Sequence, residues 1–451
     1  MLVHSGYLFF PYVYSSIKIK RLTAVMRKQI LTIYFLLVTL LAISQKTVVL
    51  QPAPPESVGF STERLSRIDK NFNDWMSDGR LNGGVALITR NGKIVYHKAF
   101  GYDDLGKKRP MKTDMIFRIA SQTKAITSVA VLILYEEGKF LLDDAVSKYI
   151  PEFAKPQVLN VFNEKDSSYT TTPAKREITI RDLLTHTSGI GYAQIGSKEA
   201  NAIYAKNDIT AGIGVGDDQS LATAMKKLGK LPLMHEPGEK FTYGLNTDVL
   251  GYLVEVVSGK SLASFFKERI FDPLGMKDTY FYLPESKYNR LVQIYQEKDR
   301  KLQAQSEVSQ NGKFLLDYPA TKGTYYSGGA GLSSTALDYA IFLQMILNGG
   351  EYNGKRILAR NTVRMMTMNQ IGDINMGNNK FGLGFGITTE KGSSILPTPE
   401  GVFEWGGAFA TTYWADPKEK LIGIIYRQLW GTTQWDIPNK YKVLVYSALA
   451  D

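Results

Sequence analysis

A serine and a lysine three positions apart can share a proton when both lie on one face of a helix. The chain has this spacing at Ser15–Lys18, Ser121–Lys124 and Ser264–Lys267. The first pair lies in a segment expected to be removed. The third lies in an amphipathic stretch that turns Lys267 to solvent. Only Ser121–Lys124 opens a run, Ala125 to Leu134, that is apolar nearly all round and reads as a buried helix. A polar Ser-Gln-Thr-Lys turn at the mouth of such a helix is costly unless it is used. In that setting burial and neighbouring cations lower the lysine pKa, so that the amine accepts the hydroxyl proton. The helix N-terminus favours the negative charge that develops on the serine side.

Other hydrolytic chemistries fit less well. No serine satisfies Gly-x-Ser-x-Gly, the nucleophile elbow of a Ser-His-Asp hydrolase. The four histidines are His4, His97, His186 and His235; none form a pair at helical spacing, and His-Glu-x-x-His is absent. With no cysteine, disulfides, thiolate zinc sites and a thiol nucleophile are excluded. No metal or organic cofactor is implied.

The elements that must position Ser121 are legible as periodicity. Residues 62–78 read as a helix. Val85 to Thr89, the turn Asn91-Gly92 and Lys93 to Phe100 read as a hairpin. A helix spans 121–137 and ends at Gly138. Residues 150–240 are looser, with a short helix at 180–184 and an exposed Gly- and Asp-rich loop at 212–219. Helical periodicity returns at 247–258, 262–269 and 335–347. A second hairpin joins 410–415 to 421–427, and a last helix covers 439–450. Strands near both ends with helices between them predict an α+β architecture, one antiparallel sheet flanked by helices with a mainly helical insertion.

The N-terminus reads as an export signal. The run Ile30 to Ile43 is short for a membrane span, which needs roughly 20 apolar residues. Arg27 and Lys28 precede it, and Ala42-Ile43-Ser44 forms a small-x-small cleavage pattern before Gln45. The alternative is an uncleaved anchor. Met26, immediately before the basic pair, reads as the true start. Residues 1–45 hold five basic residues and no acidic one, so cleavage lowers the formal charge from +11 to +6. That mild charge, with no basic block interleaved with aromatics, does not call for nucleic acid. A Pro-rich linker at 46–58 leads into a domain at 59–451, its sheet part at 59–150 and 320–451 and its helical part at 151–319.

Phe117-Arg-Ile-Ala-Ser-Gln-Thr-Lys124 resembles the nucleophile segment of the serine β-lactamase and penicillin-binding-protein superfamily. Leu183-Leu-Thr-His-Thr-Ser-Gly189, Glu236-Pro-Gly-Glu-Lys-Phe-Thr-Tyr243, Asp272-Pro-Leu-Gly-Met276, Gly328-Gly-Ala-Gly-Leu-Ser-Ser334 and Trp405-Gly-Gly407 follow in the expected order. The chain is most similar to the class C β-lactamase-like branch, which includes esterases and D-amino-acid peptidases. The resemblance spans about residues 55–430 and implies the β-lactamase/transpeptidase-like fold.

It also implies a Tyr-x-Asn motif whose tyrosine shares the base role, at Tyr243. Leu245 takes the asparagine position, and Asn246 could substitute only in a rearranged loop. Trp405-Gly406-Gly407 stands where β-lactamases carry Lys-Thr-Gly, so an indole replaces a lysine that attracts a substrate carboxylate. The small Gly407 lets the backbone approach an acyl group, and the Ala408 and Ser121 N–H groups would form the oxyanion hole. His186 is read as shaping a turn. The implied activity is acyl transfer through a Ser121 acyl-enzyme on a small ester, amide or peptide, with an ester preferred. A cell-wall β-lactamase or D-Ala-D-Ala carboxypeptidase/D-aminopeptidase, and a non-catalytic sensor, are the rivals.

The export reading places the mature protein in the periplasm or medium. N-terminal sequencing of that protein is expected to begin at Gln45; any residue before Gln45 contradicts cleavage.

Overall fold

Successive side chains of a strand point to opposite faces, and the strands Gly83–Arg90 and Leu421–Tyr426 are buried along their whole length, so both faces of their sheet are covered. The computed structural model describes Gln29 and residues 49–215, 219–299, 301–305 and 314–451. The leader, its apolar run, its cleavage site and part of the loop at 212–219 lie outside the described residues. Residues 48–451 form one unit.

The sheet contains β1 (Gln51–Pro52), β2 (Gly83–Arg90), β3 (Lys93–Asp104) and β4 (Arg109–Pro110) from the N-terminal side. From the C-terminal side come β5 (Lys380–Phe381), β6 (Gly386–Ile387), β7 (Phe403–Gly407), β8 (Thr411–Asp416) and β9 (Leu421–Tyr426). The order is β1-β3-β2-β9-β8-β7-β6-β5, with β4 on β3. Every pairing is antiparallel except β1 beside β3, which is parallel, so the sheet is mixed where a purely antiparallel one was expected. The β2–β3 turn places Asn91 and Gly92 at φ 51° and 72°, the left-handed pair that a two-residue hairpin needs.

Ala86 and Ile88 of β2 and Ile425 of β9 point to a layer with α1 (Thr62–Ser77) and the final helix, Asp436–Ser447. α1 starts on Ser61, whose hydroxyl accepts from Arg64 N, and it buries Leu65, Ile68, Phe72 and Trp75 at helical spacing. Val85, Leu87, Ile422 and Ile424 point the other way, into the larger core around α2 (Thr123–Glu136). All residues of α2 from Thr123 to Leu134 are buried. A helix enclosed on every side carries no solvent face, which explains a largely apolar composition that only Thr127 and Ser128 interrupt between Ala125 and Leu134.

The region read as loose holds more structure than its polarity suggested. It forms a hairpin (Gln157–Phe162 with Tyr169–Pro173) and helices at Lys198–Lys206 and Leu221–Leu228, besides α3 (Ile180–Leu184). The helix expected over 262–269 stops at Phe266 and widens into a π-turn at Lys267–Phe271. The final helix lies a few residues earlier than expected.

Across the β8–β9 pair Trp414 faces Gly423, and a Cβ on Gly423 would lie 2.2 Å from the indole. Trp414 is fully buried, so the ring cannot move aside freely. Gly423→Ala is expected to destabilise the fold by about 1–3 kcal/mol. Thermal melting checks this, and an unchanged midpoint contradicts it.

Candidate active site

Ser121 sits in a 3-10 turn, Ala120–Gln122, that feeds directly into α2. The preceding Ala120 has φ 42°, a left-handed conformation that costs an alanine about 1–2 kcal/mol. The surroundings hold it there. Phe117–Arg118 pairs with Ser333–Ser334, Ile119 N donates to Leu332 O at 3.0 Å, and Leu332 N donates to Thr123 Oγ1 at 3.1 Å. Tyr426 and Tyr339 donate to the Gln122 side chain and carbonyl at 2.7 and 2.9 Å. The serine is thus half-buried on a pinned turn.

Lys124, one turn on, is 1 % exposed. Its Nζ lies 3.3 Å from Ser121 Oγ, 3.1 Å from Tyr192 OH and 2.8 Å from Gly329 O. Three partners match the three hydrogens of an ammonium. They equally match a neutral amine that donates to Gly329 O and Tyr192 and accepts from Ser121. The Tyr243 ring completes the enclosure, its centroid 4.6 Å from Nζ. Burial pushes the ammonium toward a lower pKa, but the Tyr192 and Tyr243 phenols and the Asp248 carboxylate outweigh it, and the net direction is upward. The expected lowering by neighbouring cations is therefore corrected: the neighbours are phenols and a carboxylate.

Tyr192 was not singled out from the sequence. Close backbone approaches place it. A Cβ on Gly244 would lie 2.0 Å from Ile190 O, and Leu245 N donates to Gly191 O at 3.0 Å. The loop after α3 thereby lies flat against the segment bearing Tyr243, and the two rings stand 5.5 Å apart. The available signal was the Gly189-Ile-Gly-Tyr192 run after the Thr-Ser-Gly landmark, where two glycines flank the approach to one aromatic.

Trp405, on β7, donates its indole N–H to Tyr243 OH at 3.2 Å, so the donor expected to face substrate is spent on the phenol. Its ring packs edge-on against Phe381 at 5.2 Å. Gly407 ends β7 against the nucleophile turn, where a Cβ would lie 2.4 Å from Ile119 O. Ala408 follows as an exposed turn residue.

Asn246 does not join the cluster. It is fully buried; its Nδ2 lies 3.0 Å from His186 Nδ1, and its Oδ1 accepts from Ser188 Oγ. With both ends of the amide engaged, it cannot grip a substrate amide, so the substitution for the missing motif asparagine is corrected. His186 packs against Tyr243 at 4.9 Å and Phe381 at 5.4 Å, with φ 57°. Burial, with Lys124 nearby, holds its imidazole well below the usual value, so it is neutral. The ring buttresses the Tyr243 face.

The beta-lactamase family model matches residues 68–446. Esterase EstB of Burkholderia gladioli is 31% identical over 378 residues, covering 80% of this chain and 90% of that protein. A putative D-alanyl-D-alanine carboxypeptidase of Escherichia coli K12 is 29% identical, covering 85% of this chain and 87% of that one. Among solved structures, EstCE1, described as a hydrolase with promiscuous acyltransferase activity, superposes with a TM-score of 0.73 at 25% identity, over 85% of this chain and 99% of its own. A buried Ser-x-x-Lys turn, a tyrosine over the lysine and matches along most of its length place the chain in the beta-lactamase family, within the serine β-lactamase and penicillin-binding-protein superfamily.

Proposed function

We propose that the protein is an exported serine hydrolase that cleaves small esters through an acyl-enzyme on Ser121. The observation that carries this reading is the Lys124 hub, which puts a nucleophilic hydroxyl and two phenols around one buried amine. The Ser121 proton passes into this cluster as Oγ bonds to the ester carbonyl carbon. Backbone N–H groups of Ser121 and Ala408 receive the oxyanion, an arrangement favoured by Gly407 lying against the nucleophile turn. The cluster returns the proton to the leaving alkoxide through Tyr243. Water then attacks the acyl carbon, gives its proton to the cluster and releases the acid as Ser121 regains its hydrogen.

The ester preference rests on Trp405. An indole N–H held by Tyr243 supplies no positive charge for a substrate carboxylate, whereas it adds apolar surface for an acyl or aryl group. The esterases among the relatives point the same way. Export rests on the N-terminal layout of basic pair, apolar run and small-x-small site.

Protein lacking residues 1–45 is expected to turn over p-nitrophenyl esters well above nitrocefin or a D-Ala-D-Ala peptide. The reverse order would favour the cell-wall enzyme. Ser121→Ala is expected to lower ester kcat by about 10⁴-fold or more with unchanged melting; retained turnover would displace Ser121 as nucleophile. Trp405→Phe keeps an aromatic ring and removes the donor to Tyr243. It is expected to lower kcat about tenfold, the worth of one hydrogen bond at a reacting group, with little change in KM. An unchanged kcat contradicts a role for that bond.

A further inference from the structure

Asp248 lies in the first turn of the helix Asn246–Ser258 (α4) and is 0 % exposed. An acid in a first turn ordinarily complements the helix dipole from the surface. This carboxylate instead reaches another segment. Its Oδ1 accepts from Ser327 Oγ at 2.5 Å and from Gly329 N at 3.3 Å. Its Oδ2 has no hydrogen-bond partner among the described residues. The backbone closes tightly on it: a Cβ on Gly329 would lie 2.3 Å from Oδ2, and one on Gly212, where φ is 76°, would lie 2.9 Å from Oδ1. So enclosed, a carboxylate is costly unless an opposite charge shares its surroundings.

That opposite charge is Lys124. Gly329 joins the two, its N–H donating to Asp248 while its carbonyl accepts from Lys124 at 2.8 Å. Burial raises the Asp248 pKa, and Ser327 and Lys124 act against the rise. The other titratable groups around the pair are Tyr192 and Tyr243 on the Lys124 side and Tyr325 on the Asp248 side, with neutral His186 behind Tyr243. The reaction described above uses none of the Asp248 atoms.

We infer that Asp248 is a positioning residue for Lys124: it fixes the Gly329 carbonyl on the amine and supplies the negative charge that holds the proton in the cluster around Lys124. The inference rests on the serine-hydrolase reading. Its sign follows from charge. To accept the Ser121 proton the cluster must first lose one, becoming less positive, and a negative neighbour opposes that loss. A neutral residue at 248 eases it, so the acid limb of activity moves to lower pH. The direction is the same whether the proton leaves the amine or a phenol, because the macroscopic value belongs to the cluster.

The test is the rate of Ser121 labelling by a fluorophosphonate, followed by intact mass across the range where lysine and tyrosine titrate. The full chain, Asp248→Asn and Ser327→Ala are compared. For Asp248→Asn the half-maximal point of the acid limb is expected about one pH unit or more lower, tenfold or more in proton affinity. Ser327→Ala keeps the charge and loses one bond that ties the Ser327–Gly329 segment to Asp248, so its limb stays in place while its plateau rate falls. An unmoved or raised limb in folded Asp248→Asn overturns the inference. Where Asp248→Asn does not fold, Ser327→Ala decides, and a plateau equal to wild type overturns it. A wild-type chain that takes no label on Ser121 fails the hydrolase reading instead.

Discussion

The site depends on one buried amine finding all of its partners. Removing an ammonium from water costs several kcal/mol, and the cost is offset only when each N–H is met. Lys124 meets that condition with atoms from three places: Ser121 on its own turn, Tyr192 from the loop after α3, and the Gly329 carbonyl before Ser333–Ser334. The helical part and the sheet part must therefore both be folded before the lysine is stable where it stands. The Ser121 hydroxyl is presented by the same constraint, because of the three hydrogen-bond partners of Lys124 only Ser121 is half-buried rather than buried.

A second layer fixes the phenols. Tyr243 is held between the Lys124 ammonium, the His186 ring and the Trp405 indole, which also donates to its hydroxyl. The His186 ring is in turn tied to Asn246, so a buried residue pair behind the ring sets the angle of the Tyr243 phenol. On β7 the side chain beside Tyr243 is the uncharged indole of Trp405.

Much of this was legible in the sequence where the determinants are local. Ser121 and Lys124 share one turn of a helix whose composition announces burial, and α1, α2, α4 and both hairpins follow from periodicity. What escaped depends on tertiary approach. Tyr192 reaches the amine only because glycines let two loop backbones touch, a condition that leaves no periodic trace. Asp248 looks like an ordinary first-turn acid until its burial is seen. The lysine's surroundings were misjudged for the same reason: the charges near it come from distant segments. The polar hairpin at Gln157–Pro173 and the helix Lys198–Lys206 were hidden because their outward faces are exposed and carry little pattern.

The most direct test of the account is to quench an aryl ester reaction during turnover, digest the protein and locate the acyl group by mass spectrometry. The acyl mass is expected on the peptide containing Ser121. Turnover with the acyl group on another residue would contradict it.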